Sequence, residues 1–125
     1  MKTIILASIT VLLVGCVSIP SFWDDNQSSA IVSVRLAVEN INCAEPHAPQ
    51  VKHVQQQLRW FELYSESKGS RQQDVIRLIR PMQATVDDFY NRSVNNPGSK
   101  TYCELKKDTM VEQASTIARA VLVRF

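Results

Sequence analysis

The residues of this 125-residue chain whose types could carry chemistry are few: Cys16, Cys43, Cys103, His47, His53 and the adjacent pair Asp87-Asp88. Nucleophilic catalysis of the Ser-His-Asp or Cys-His kind needs a base that a third group orients beside the nucleophile. His47 stands between Pro46 and Pro49, which places it in a turn, and His53 falls off the main apolar stripe of its segment. Neither has a sequence neighbour that marks it as a base. Cys43, His47, His53 and Cys103 make a metal-ligand set on paper, but Cys43-x3-His47 is loose and lacks the tight Cys-x2-Cys pair of structural zinc sites. Neighbouring helical residues point about 100° apart, so Asp87 and Asp88 read as a solvated face, with Arg92 four residues beyond Asp88. Glycine-rich phosphate loops and His-Glu-x-x-His motifs do not occur. The expectation is a protein that is not an enzyme, with no cofactor, no metal and no evident small-molecule substrate.

Composition narrows the class further. Fourteen Lys and Arg against twelve Asp and Glu give a formal charge of +2, without the basic excess of a nucleic-acid binder. Hydrophobic residues at 45% and charged residues at 21% are globular values, not those of a disordered chain. Three glycines and no Asn-Gly or Asp-Gly pair argue against an all-β domain. The length fits one domain.

The first residues carry an address. Met1-Lys2 is a short positive start, and Thr3 to Val14 is an apolar run without charge. The run is shorter than the about 20 residues of a spanning helix and suits the central region of an export signal. It closes on Leu13-Val14-Gly15-Cys16. There the chain resembles the bacterial lipoprotein signal class, whose lipobox places an aliphatic residue three before the Cys and a small one just before it. The resemblance covers residues 1–16 and implies cleavage after Gly15, thioether lipidation of Cys16 and acylation of the new amino terminus. Each buried methylene contributes about 0.8 kcal/mol, so several acyl chains anchor stably. In that class Asp directly after the Cys favours the inner membrane; Val17-Ser18 therefore implies the periplasmic face of the outer membrane. The expected layout is signal peptide 1–15, lipidated tether 16–23 and a helical domain 24–125.

Export sets the reading of the other two cysteines. In an oxidising periplasm Cys43 and Cys103 are most simply a disulfide, with free thiols, intermolecular bridges or the metal set as competing readings.

The elements that hold these residues read as four helices. Asp24-x-x-Gln27, or Asp25, starts the first, and Ile31, Val34, Val38 and Ile41 form its stripe. The Cys43 to Pro49 stretch ends it, with Pro49 suited to the first position of the second helix. Val51, Val54, Leu58 and Phe61 follow, and Lys68-Gly69 closes the segment. Ser70-x-x-Gln73 resembles a capping box for a third helix with the stripe Val75, Ile79, Met82, Val86 and Phe89. The apolar phase survives across Pro81, which predicts a kink rather than a break. After Asn95-Asn96-Pro97-Gly98, Ser99 or (as the better box) Thr101 caps a fourth helix carrying Leu105, Met110, Ala114, Ile117, Val121 and Leu122.

Short connections favour antiparallel neighbours, so the predicted fold is an all-α, up-down-up-down four-helix bundle with a kinked third helix. That topology brings the end of helix one and the start of helix four, hence Cys43 and Cys103, to one pole. The tether enters at the other, near Lys68, Arg71 and Arg124, and Phe22 and Trp23 are either interfacial anchors or packing residues. Residues 17–23 span at most about 25 Å, which keeps the bundle close to the lipid.

His53, Gln57, Trp60 and Tyr64 give helix two a second face. Packing of this face into the bundle is the simpler reading. Left exposed, it is the candidate partner-binding patch, since Trp and Tyr are enriched at binding hot spots. The functional expectation is a lipid-anchored, non-enzymatic interaction or envelope-modulating protein, held to outer-membrane lipid through Cys16 and binding another envelope protein. The alternative is a lysis or exclusion lipoprotein of a phage or mobile element, similar to the outer spanins. Those have cysteines that cross-link subunits, but their mature parts are often proline-rich and poorly folded, unlike the four patterned helices here.

Overall fold

The computed structural model of the chain describes residues 24–69, 72–95 and 98–122. Four helices account for nearly all of them: α1 Asp25–Glu39, α2 His47–Ser67, α3 Gln73–Asn95 and α4 Lys100–Leu122. The protein is an all-α four-helix bundle in which α1 packs on α2 and α4, and α3 packs on α2 and α4. Cys16, Phe22, Trp23, Ser70, Arg71 and Arg124 lie outside the described residues.

Capping contacts account for several of the helix ends. Asp24 accepts from the N–H groups of Asn26 (2.9 Å) and Gln27 (3.1 Å) at the start of α1, satisfying donors that no helical carbonyl can reach. Helix α1 ends at Glu39, earlier than the stripe predicts, yet Ile41 remains buried in the connection. Gln50 holds that connection: its Oε1 accepts from Asn42 N–H (2.7 Å) while its Nε2 donates to the carbonyls of Asn42 and Pro46. Helix α2 begins at His47, so Pro49 occupies the third helical position rather than the first. Its missing N–H still falls in the turn that lacks intrahelical acceptors.

After α2, Gly69 adopts φ +90°, the left-handed residue that ends a helix and that glycine takes without a Cβ penalty. Helix α3 runs unbroken through Pro81. Ser99, not Thr101, caps α4: its Oγ accepts from Tyr102 N–H at 3.1 Å. Cys103, four residues on, lies in the core.

Two poles establish the up-down-up-down course. At one, Gln27 at the start of α1 donates through Nε2 to Ser65 Oγ (3.1 Å) at the end of α2 and to Gln72 Oε1 (2.9 Å) just before α3. At the other, the disulfide joins Cys43, after α1, to Cys103 in the first turn of α4, with Cα atoms 5.7 Å apart. Lys107 of α4 donates to the Ile41 carbonyl there (2.9 Å). Phe89, near the end of α3, meets His47 (centroids 5.9 Å) and the edge of Tyr102 (5.7 Å) at the same level.

The core between the poles contains the expected stripes, with Ile31, Val34, Leu58, Phe61, Ile79, Met82, Phe89, Met110 and Ile117 fully buried. Each such side chain contributes about 1.5–3 kcal/mol relative to exposure. Leu105 departs from the prediction and is exposed. It lies five residues before Met110, about 140° round the helix, whereas Cys103, seven before Met110, takes the core position.

Candidate functional site

The second face of α2 points outward. Trp60 is 51% exposed, so the packing alternative fails for the largest residue of the face. Its ring stacks on Tyr64 with centroids 5.4 Å apart and planes 10° from parallel, as i,i+4 geometry on a helix allows. Tyr64 is tied down: its hydroxyl lies 3.0 Å from both carboxylate oxygens of Asp24, and Lys68 pairs with the same carboxylate while lying over the Tyr64 ring. One aspartate thus caps α1 and fixes an aromatic of α2, so the Trp60 platform stands on the pole of the bundle.

The charges at this point are coupled. Burial pushes the Asp24 carboxyl up, but hydrogen bonds from Lys68, Gln27 N–H and Tyr64 outweigh it and hold the group below its ordinary value. The hydrogen bond to Asp24 in turn raises the Lys68 ammonium.

His53 is exposed and Gln57 half-buried on the same side of α2. Together with Trp60 they line a groove against α1, whose opposite wall includes Ser29, Ser33, Leu36 and Asn40. The structure therefore brings His53, Gln57 and Trp60 to one groove and assigns Tyr64 to supporting it.

A second feature of α2 escaped the sequence reading. Glu62 is buried (2% exposed), facing α3. It accepts from Arg59 (2.7 Å) and from Gln83 of α3, and Arg80 lies 3.4 Å away. Both arginines stay solvent-exposed, and the Arg59 guanidinium is raised by its bond to Glu62. Glu62 falls four residues after Leu58, on the apolar stripe. An ionisable residue at a core position was the available signal, but its partner on α3 could not be read from spacing. Removing water from a carboxylate costs several kcal/mol unless bonds replace it, and here Arg59, Arg80 and Gln83 replace it. The same principle accounts for the buried Gln27–Ser65–Gln72 chain.

His47 is the first residue of α2 rather than a turn residue, and its Nε2 lies 3.0 Å from the Cys43 carbonyl. It shares its pole with the disulfide as a packing and hydrogen-bonding group. Asp87 and Asp88 separate as expected: Asp87 accepts from Gln55 (2.6 Å), whereas Asp88 pairs with Lys106 (2.9 Å), Arg92 (3.5 Å) and the Tyr102 hydroxyl (3.2 Å). The Lys106 bond is foremost in holding Asp88 below the usual aspartate range. No group of three potential metal ligands occurs among the described residues, and no helix there is long and apolar enough to cross a membrane. No family model matches the chain, nor does any curated protein or solved structure.

Proposed function

We propose that this protein is a lipid-anchored binding protein of the bacterial envelope, held to the periplasmic face of the outer membrane through Cys16. It acts by docking an envelope protein on the outer face of α2 rather than by catalysis. The observation that carries the proposal is the division of labour among its three cysteines. Cys43 and Cys103 bond to each other, as suits an oxidising compartment. Cys16 ends the lipobox-like Leu13-Val14-Gly15-Cys16. The half-exposed Trp60 supports the binding role, because a large ring left in water is what a hot spot buries on association.

The intramolecular bridge occupies both cysteines that a spanin-like factor would use to cross-link subunits, which favours the interaction reading over the lysis alternative. Two measurements in cells test the proposal. Metabolic labelling with an alkynyl fatty acid should mark the wild-type chain and not Cys16→Ala, and that variant should leave the membrane fraction. Trp60→Ala should stay anchored and folded while losing its crosslinks. Labelling that persists in Cys16→Ala overturns the anchor, and unchanged crosslinking in Trp60→Ala overturns the binding face.

A further inference from the structure

The groove between α1 and α2 differs chemically from the rest of the surface. It runs from Asn40 and Pro49 near the disulfide pole to Asn26 and Trp60 near the other. None of the described residues lining it is Asp, Glu, Lys or Arg, although 21% of the chain is charged. The side formed by α3 and α4 carries the opposite chemistry, with Asp88 pairing Arg92 and Lys106, and Lys100 near Glu104. Among the described residues, no group bonds the side chains of His53, Gln56 or Gln57. Leu36 (52% exposed) and Trp60 (51%) add apolar area to the same face.

A surface that meets its own copy across a two-fold axis places each residue near that axis opposite its twin. Two ammonium groups or two carboxylates repel in that position. An amide or hydroxyl carries donor and acceptor together and bonds its twin. Gln56, Gln57, Asn40 and Ser29 are of this self-complementary kind, and the exposed apolar side chains need only one another. We propose that the docking partner of the α1/α2 face is a second copy of this chain. The partner thereby named belongs to the binding face proposed above, but self-docking itself does not depend on lipidation. With both tethers in one membrane, the axis runs parallel to the helices, so the two Trp60 rings lie at the same height.

The size of the face sets the strength. Fifteen residues of α1 extend about 22 Å, and two packed helices are about 20 Å wide. That patch, about 440 Å², is roughly half of the 800 Å² per partner of a standard interface and falls among the weak, transient contacts. The dimer is therefore weak in solution and reinforced when both copies are confined to one membrane.

Sedimentation equilibrium of the full chain in a zwitterionic detergent tests the proposal, with native mass spectrometry to read composition. The wild type should dimerise with a Kd on the order of 1–100 μM. Gln57→Lys and Gln57→Glu should each be monomeric, with helical melting curves matching the wild type, and their equimolar mixture should recover a dimer of mixed composition. That rescue is beyond a merely structural effect of either substitution. Trp60→Ala should weaken the dimer at least about tenfold. A wild type that stays monomeric to about 1 mM, or a dimer that survives both Gln57→Lys and Trp60→Ala, overturns self-docking. In cells, a photocrosslinker at position 56 should give a product of twice the chain's mass. An adduct with a different protein from a chain that is monomeric when purified overturns self-docking and leaves the proposed function standing.

Discussion

Cutting the Cys43–Cys103 bridge should cost this bundle a large share of its stability, for a reason that lies mostly in the unfolded chain. The bridge spans 60 residues of sequence and, in the chain-entropy account, a loop of that length is worth about 4 kcal/mol. Domains of this size have only about 5–15 kcal/mol in total. At about 4–8 °C per kcal/mol, the melting temperature should fall by roughly 20 °C. The appropriate variant is Cys43→Ser with Cys103→Ala, because Cys43 is half-buried whereas Cys103 lies wholly in the core. Urea unfolding followed by circular dichroism, with and without reductant, reads the loss directly. The reduced wild type and the double variant should agree within about 1 kcal/mol, the allowance for a small cavity at position 103. The slope of free energy against urea should also rise, since an uncrosslinked chain exposes more surface on unfolding. A loss below about 1 kcal/mol in both would exclude loop closure as the source of the stability. It would mean that the pole is held by the packing of Phe89 on His47 and Tyr102 and by the Lys107 bond to Ile41, with the bridge adding nothing.

Glu62→Ala should destabilise by about 2 kcal/mol in denaturant titration, because it leaves the Gln83 amide unpaired beside a cavity. Glu62→Leu should fall within about 1 kcal/mol of the wild type, as replacing a buried ion by an apolar residue of similar volume often does. Arg59→Ala, at an exposed partner of the same carboxylate, should destabilise less than Glu62→Ala in the same titration. Asp24 has a lowered folded-state pKa, so its contribution is present above its ordinary value of 3.8 and is lost as pH falls through the folded-state value. Asp24→Asn keeps a good helix cap but should flatten that acid-side slope in melting curves taken across pH. Lys68, raised by the same partner, loses its contribution only as pH rises past its own elevated value. Trp60→Ala should change stability by no more than about 1 kcal/mol, since half of the ring is already in water.

The fold was legible because its signals are local. The stripes through Ile31–Val38, Val51–Phe61, Val75–Phe89 and Met110–Val121 have helical spacing, and Gly69 marks a stop. The course of the chain was legible because two independent inferences, short connections and a pair of cysteines, led to the same pole. What stayed hidden depends on contacts between helices. Glu62 and Gln27 sit on apolar stripes and become acceptable only through Gln83, Ser65 and Gln72 on other elements. The choice of Cys103 over Leu105 required the rotation of α4 about its axis, which the disulfide fixes. For the candidate site, periodicity grouped His53, Gln57, Trp60 and Tyr64 on one face but could not say whether another helix covers it. The uncharged wall opposite, formed by α1, became visible only when the two helices were side by side.

Cys16 carries the proposed anchor, and mass spectrometry of the chain extracted from the membrane fraction of cells that produce it reads the state of that residue. The expected N-terminal peptide begins at Cys16 and carries a thioether-linked diacylglyceryl group and an acylated amino terminus, with Cys43 and Cys103 linked in the same digest. A chain that begins at Met1, with an unmodified Cys16 thiol, would rule out the lipid anchor.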